Sequence, residues 1–194
     1  LIGLNRAIVS QGLEILKKKS NLGLKTLKNI CGIESNLSTY HLGYILGPRI
    51  NAGGRVGRCS HGANLLLSRD SKEIFKIATE LESYNKERKS IESAMLKKIE
   101  STIVIDSNEP VIILSGHNWH GGIIGIIAAR LKEKYNKPTI IISVEKGVGR
   151  ASARSIVGFD IGTAIISAVQ NNILTKGGGH KMAAGFTIEE NKIE

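Results

Sequence analysis

Two cysteines in 194 residues, Cys31 and Cys59, are too few for a disulfide framework and point to a reducing compartment, the cytoplasm. Aromatic residues make up only 4%, so stacking platforms for unpaired bases are scarce. No apolar run approaches the roughly 18 residues that a membrane helix needs. Residues 1–20 also lack the cationic start and apolar centre of a secretory leader, so no membrane partner is expected. Acids are nearly missing from the first third. Residues 1–69 set Glu14 and Glu34 against ten Lys/Arg, a surplus of eight, whereas residues 70–194 set fifteen acids against seventeen bases. A basic stretch beside a nearly neutral one points to a polyanionic partner, with nucleic acid first. Also lacking is any cluster of aspartates, any DxD and any Asp-His pair, the groups that a two-metal phosphodiester hydrolase uses. No catalytic and no metal-ligating residue is therefore expected within this chain.

What is present reads as two regions of different character. Leu4, Ala7, Ile8, Ile15 and Leu16 make an apolar stripe over 4–19, a helix that Gly12 weakens and that ends in three lysines suited to a helix C-terminus. A short helix is expected over 24–31, with Cys31 in a core. Another, beginning near residue 39, is expected to stop at Gly47, because Pro48 disfavours the α conformation before it. Asp70 and Glu73 suggest a capping box that opens a helix of some thirty residues, apolar at both ends and polar over 84–89, as a connector between domains would be. Beyond it, 111–114 and 139–142 are continuous apolar runs, as parallel strands covered on both faces require. Between them Ile124, Ile127, Ala128, Leu131 and Tyr135 keep helical spacing, so the three segments form a βαβ unit. A strand over 150–156, a helix over 160–171 capped by Asp160 and a strand over 184–188 complete an α/β reading with a mostly parallel sheet.

The candidate site residues gather in four places. GGGHKMAAG at 177–185 reads as a loop in which three missing Cβ atoms let backbone amides approach a phosphate, with His180 beside it. Arg49 and Arg55 stand among glycines in GPRINAGGR at 47–55, where few acids lie nearby to pair with them, and arginine suits bidentate phosphate contact. His120 lies at the end of the first strand, where open α/β sheets bind ligands. His117 is its only near companion, and two histidines without a convincing third ligand argue against zinc. Trp119 reads as a packing residue. Period two puts Arg150, Ser152 and Arg154 on one strand face, with small neighbours that let an arginine reach into a crevice.

These elements together resemble the RecJ-type exonucleases of the DHH phosphoesterase superfamily: GPRINAGGR at 47–55, Asn85, Arg88, Lys89, Ile91 and Glu92 in the long helix, WHGGIIGI at 119–126, SARSI at 152–156 and GGHKMAAG at 178–185. The GGGH element is shared across the superfamily; the other motifs point to RecJ. One mild departure is a glycine, Gly53 or Gly54, where the family usually has alanine. The resemblance implies that residues 1–69 are the C-terminal part of a DHH domain, 70–102 a connector helix and 103–194 a DHH-associated substrate-binding domain. It implies 5′-to-3′ hydrolysis of single-stranded DNA, in repair and recombination, with Mn²⁺ or Mg²⁺ held by ligands upstream of Leu1. It assigns Arg49, Asn51, Arg55, His120, Ser152, Arg154, Gly178, Gly179 and His180 to gripping the strand and its terminal phosphate. Two alternatives stay open: a phosphodiesterase of the same superfamily acting on oligonucleotides or small nucleotides, and a truncated, non-catalytic nucleic-acid-binding remnant.

Overall fold

Helices account for the regular structure of the first ninety residues, each with an apolar side set by its sequence. The computed structural model describes residues 2–19, 21–102 and 109–193, and it divides into two compact units, Leu1–Lys89 and Ser90–Glu194. The division falls inside the long helix; residue 103, the expected start of the C-terminal domain, lies outside the described residues. Helix α1 (Gly3–Lys18) buries none of its residues, so the stripe of Leu4, Ile8 and Ile15 is open. Helix α2 (Leu22–Ile30) is capped by Asn21, whose side chain accepts from the Leu24 N–H at 3.1 Å.

The helix through residue 47 does not stop at Pro48. His41–Leu46 forms a π-helical turn, in which the Gly47 N–H donates to the Leu42 carbonyl five residues back. Proline then falls in the first turn of α3 (Gly47–Val56), where a missing N–H is no loss. Helix α4 (His61–Leu67) and the first half of α5 (Ser71–Thr102) complete the unit. Its core is Leu27, Leu46, Leu65, Ile74, Ile77, Ala78 and Leu81. Arg49 adds a polar tie by pairing with Glu82; His61 Nδ1, 3.2 Å from a Glu80 carboxylate oxygen, is buried without a hydrogen bond among the described residues. Asp70 accepts from the Lys72 N–H at 2.9 Å, but Glu73 accepts from the Ser68 hydroxyl instead of closing a capping box.

In the second unit the α/β reading holds and the strand directions do not. Strands β1 (Ile112–His117), β2 (Thr139–Glu145), β3 (Val148–Arg154), β4 (Lys176–His180) and β5 (Ala183–Glu189) form one sheet in the order β1-β2-β3-β5-β4. β1 and β2, joined through α6 (Ile124–Tyr135), are parallel as the βαβ pattern required. The other three pairings are antiparallel, so the sheet is not mostly parallel. The cause is loop length, because parallel strands need a long crossover. Only Lys146 and Gly147 separate β2 from β3, and both have positive φ, as the hairpin turn that fits strand twist demands. Lys181 and Met182 likewise close β4 on β5.

The glycine triplet is a second correction: Gly177, Gly178 and Gly179 are strand residues of β4, and none has positive φ. What two of them need is space. A Cβ at Gly179 would lie 2.4 Å from the Ala183 carbonyl oxygen, and one at Gly177 would lie 2.8 Å from Ile165 Cγ2.

The two sheet faces carry different partners. Helix α7 (Ile161–Gln170), capped by Asp160, covers one face with Ile161 and Ile165 against Ile142, Val144, Ala153, Ala184 and Ile188. Helix α6 lies on the other, where its Gly125 abuts Ser152 and Arg154. The second half of α5 is tied to α6 by Glu92–Arg130 at 3.1 Å and Glu100–Lys134 at 2.6 Å.

Candidate nucleic-acid interface

Residues paired across a sheet share a face, so the register assembles the site. One row reads Thr139, Arg154, Ala183, His180 from β2 to β4. The next reads Ile141, Ser152, Gly185, Gly178, and the third Ser143, Arg150, Thr187, Lys176. All three rows lie on the α6 face. The expected residues Ser152, Arg154, Gly178 and His180 are thereby brought to one surface. Gly179, one residue from Gly178, points to the opposite face and packs against β5.

Each polar group is held in a defined pose. Arg154 Nη1 donates to Ser152 Oγ at 3.1 Å and to the Ala153 carbonyl at 2.8 Å. Its guanidinium lies against the first turn of α6, where a Cβ on Gly125 would be 3.0 Å from Nη2 and 2.9 Å from Ser152 Oγ. Glycine at 125 is what lets the arginine lie there. His180 Nδ1 accepts from the Met182 N–H at 3.2 Å, and His120 Nδ1 accepts from the Gly122 N–H at 3.1 Å. An accepting Nδ1 fixes the neutral ring as the Nε2–H tautomer. Both exposed histidines therefore present a donor outward, which suits an anion's oxygen.

The loop holding His120 is anchored by its neighbour. The Trp119 carbonyl accepts from the Ser143 hydroxyl at 2.5 Å, and the indole lies over Gly116, where a Cβ would come within 2.4 Å of Cε2. Trp119 packs, as expected of it, yet it also lines a depression of about 370 Å³ with Gly121, Ser143 and Arg150. A second, of about 580 Å³, is lined by Arg150, Lys176, Gly178, Gly185 and Thr187. Lys176 was not anticipated; Arg150 was legible from its period-two spacing with Arg154.

Arg49, Asn51 and Arg55 stand on α3 in the first unit. Asn51 and Arg55 are exposed, but Arg49 is mostly covered. Besides its pair with Glu82, Arg49 donates from Nη1 to the Ile45 carbonyl at 2.8 Å. The expectation that it lacked an acid is corrected: the partner comes from α5, 33 residues on. A separate cavity of about 560 Å³ between α1 and α2 is lined by leucines and by Lys17, Lys18, Lys25 and Lys28, with no arginine, histidine or glycine among the residues around it.

Among the described residues no three His, Cys, Asp or Glu side chains gather to hold an ion. The Nδ1 atoms of His120 and His180 are already engaged.

The second unit is thus a five-stranded sheet closed by two hairpins, with a helix on each face and a polar, glycine-floored surface beside α6. Residues 108–194 match the DHHA1 domain family. As a whole the chain is similar to single-stranded-DNA-specific exonucleases named RecJ: 35% identical to that of Bacillus subtilis over 97% of this chain, and 34% to that of Escherichia coli over 98%. It superposes on the crystal structure of RecJ in complex with Mn²⁺ from Thermus thermophilus with a TM-score of 0.85, at 32% identity over 97% of this chain. The chain spans 24% and 35% of the two sequence relatives' lengths and 28% of that structure's. Among the described residues no helix is long and apolar enough to cross a membrane.

Proposed function

We propose that this chain is the substrate-gripping part of a RecJ-type exonuclease, which removes nucleotides from the 5′ end of single-stranded DNA in repair and recombination. One observation carries the reading: Arg154, backed by Ser152, shares a sheet face and a register row with His180. Two strand spacings put their Cα atoms about 10 Å apart, close enough for both side chains to converge on one anion. The guanidinium supplies charge and paired donors; the Nε2–H of His180 supplies a directed one. A terminal 5′ phosphate is a dianion and matches that set better than a backbone phosphodiester does. His120 and the amides around Gly121 fit the adjoining backbone.

The relatives are named single-stranded-DNA-specific exonucleases, and related crystal structures hold Mn²⁺ or Mg²⁺. For this protein we place the metal ligands upstream of Leu1 in an intact enzyme, where the ions would supply an activated water. The chain by itself binds without cutting. Two free cysteines fit a reducing cytoplasm.

The test compares 5′-phosphorylated with 5′-hydroxyl single strands by titration at fixed salt. Arg154→Ala and His180→Ala each weaken the phosphorylated ligand by about tenfold or more, the loss of a charge-assisted bond of about 1.5–3 kcal/mol, and change the hydroxyl ligand little. Equal loss on both ligands would assign these residues to the general backbone or to folding, which circular dichroism separates.

A further inference from the structure

The third register row holds charge that the terminal-phosphate reading does not use. Arg150 on β3 stands opposite Thr187 on β5, which stands opposite Lys176 on β4. Cation, hydroxyl and cation thus line up across three strands on the α6 face. Both cations are exposed, and neither makes an ion pair among the described residues. The nearest acids in the register, Glu145 and Glu189, both stand opposite Val148. They are matched by Lys146 at 3.9 Å and Lys192 at 3.6 Å. Between this row and the Arg154–His180 row, the floor across β5 and β4 is bare, whereas β3 carries Ser152 there. Gly178 and Gly185 provide it, and a Cβ on Gly178 would meet nothing within 4 Å, so its absence is not forced by packing. Arg150 also borders the depression beside Trp119, which Ser143, Glu145 and Lys146 line as well.

Spacing decides what such a row can hold. Four residue steps along β3 separate Arg150 from Arg154, about 13 Å along a strand. One phosphate cannot bridge that distance, but an extended nucleic-acid strand covers it in two or three nucleotides. The row also lacks the histidine that accompanies Arg154, leaving an arginine fork, a point charge and a hydroxyl, a set suited to singly charged phosphodiesters.

We propose that Arg150, Thr187 and Lys176 form a second phosphate subsite, which takes the backbone of a single strand a few nucleotides in from its 5′ end. The protein then favours strands several nucleotides long over dinucleotides. This rests on the reading that the same face grips a 5′ phosphate, and it separates a strand-processing exonuclease from a phosphodiesterase of very short substrates.

Fluorescence anisotropy of this chain with 3′-labelled, 5′-phosphorylated oligothymidylates of two, four and eight nucleotides tests it across a salt series. The unmodified chain binds eight nucleotides more tightly than two, and the slope of log K against log salt steepens by about 0.7 for each further phosphate that the protein neutralises. Arg150→Gln with Lys176→Gln removes most of that advantage, reducing eight-nucleotide affinity roughly tenfold or more while leaving the dinucleotide unchanged. Arg154→Ala lowers all three lengths in parallel. Both altered side chains are exposed, so melting temperature should hold, and Arg150→Lys should restore part of the advantage. Equal loss at two and eight nucleotides, no loss at either, or no length dependence in the unmodified chain overturns the second subsite. A length dependence that the double variant abolishes, seen equally with 5′-hydroxyl strands, overturns the terminal-phosphate reading and leaves the row standing.

Discussion

Gly125→Ala should separate the stability of the second unit from its grip on a 5′ phosphate. Gly125 sits in the first turn of α6, and a Cβ built there would lie 3.0 Å from Arg154 Nη2 and 2.9 Å from Ser152 Oγ. Alanine raises intrinsic helix stability by up to about 1 kcal/mol over glycine. Pushing the arginine tip and the Ser152 hydroxyl off their preferred geometry costs about 0.5–1.5 kcal/mol, because both groups that must yield are side-chain ends that can turn aside. The two effects nearly cancel. For a chain of this size the melting temperature should move by no more than about 3 °C. Binding is another matter, since the displaced group is the cation itself. A fully lost charge-assisted bond is worth about 1.5–3 kcal/mol. A guanidinium that is re-aimed but still present should lose about 1–2 kcal/mol of that, or roughly tenfold in affinity for a 5′-phosphorylated strand. The assay is anisotropy titration of wild type, Gly125→Ala, Arg154→Ala and the double variant, with thermal melts of each. If Gly125 acts through Arg154, the double variant binds no worse than Arg154→Ala alone. Additive losses would refute the reasoning, and so would a large fall in melting temperature with binding intact.

Gly116→Ala should drive the sole tryptophan off its seat, because a Cβ there lies 2.4–2.8 Å from three atoms of the Trp119 indole. Expected are a red-shifted emission and a stability loss of about 1–3 kcal/mol from overpacking; an unchanged spectrum would mean the ring does not rest on residue 116. The two thiols should differ in reactivity: Cys59 is exposed, whereas burial pushes the half-covered Cys31 thiol above the ordinary range, with Arg49 opposing the rise and Glu82 adding to it. At pH 8 a thiol reagent should label Cys59 first and Cys31 several-fold more slowly, with the difference vanishing in denaturant; equal native rates would contradict the burial of Cys31.

Local periodicity made the long helix, the βαβ unit and the Asp160 cap legible, because each depends on residues within one or two turns of each other. The errors came where the deciding group was distant or the conformation unusual. Arg49 looked unpaired because its carboxylate, Glu82, belongs to the next long helix. Pro48 looked like a stop because a π-helical turn that moves the hydrogen bond to i−5 has no simple sequence pattern. In the sequence β4 has the look of a loop because glycine is a poor strand former, and its fitness there comes from Ile165 and Ala183 in other elements. Alternation along β3 already put Arg150, Ser152 and Arg154 on one side, but which β4 residues share that side awaited the hairpin register.

That register explains why glycines and cations recur together on this face. A phosphate is bulky, and an arginine on a side-chain-covered sheet would meet it well above the backbone, on a flexible stem exposed to screening solvent. Removing Cβ atoms beside the cation lowers the surface to which the ligand can descend. Gly178 and Gly185 do this between the rows of Arg154 and Arg150, and Gly125 does it on the helix that overhangs them. The guanidinium of Arg154 can then be braced by Ser152 Oγ and the Ala153 carbonyl and still be reached. A braced arginine loses less side-chain freedom on binding than a free one, so more of its interaction energy survives as affinity. The α7 face shows the opposite use of the same residue. A Cβ at Gly177 or Gly179 would collide with neighbouring atoms, and those positions serve packing. Within one triplet, then, the alternation of a strand assigns Gly178 to the α6 face and its two neighbours to the α7 face.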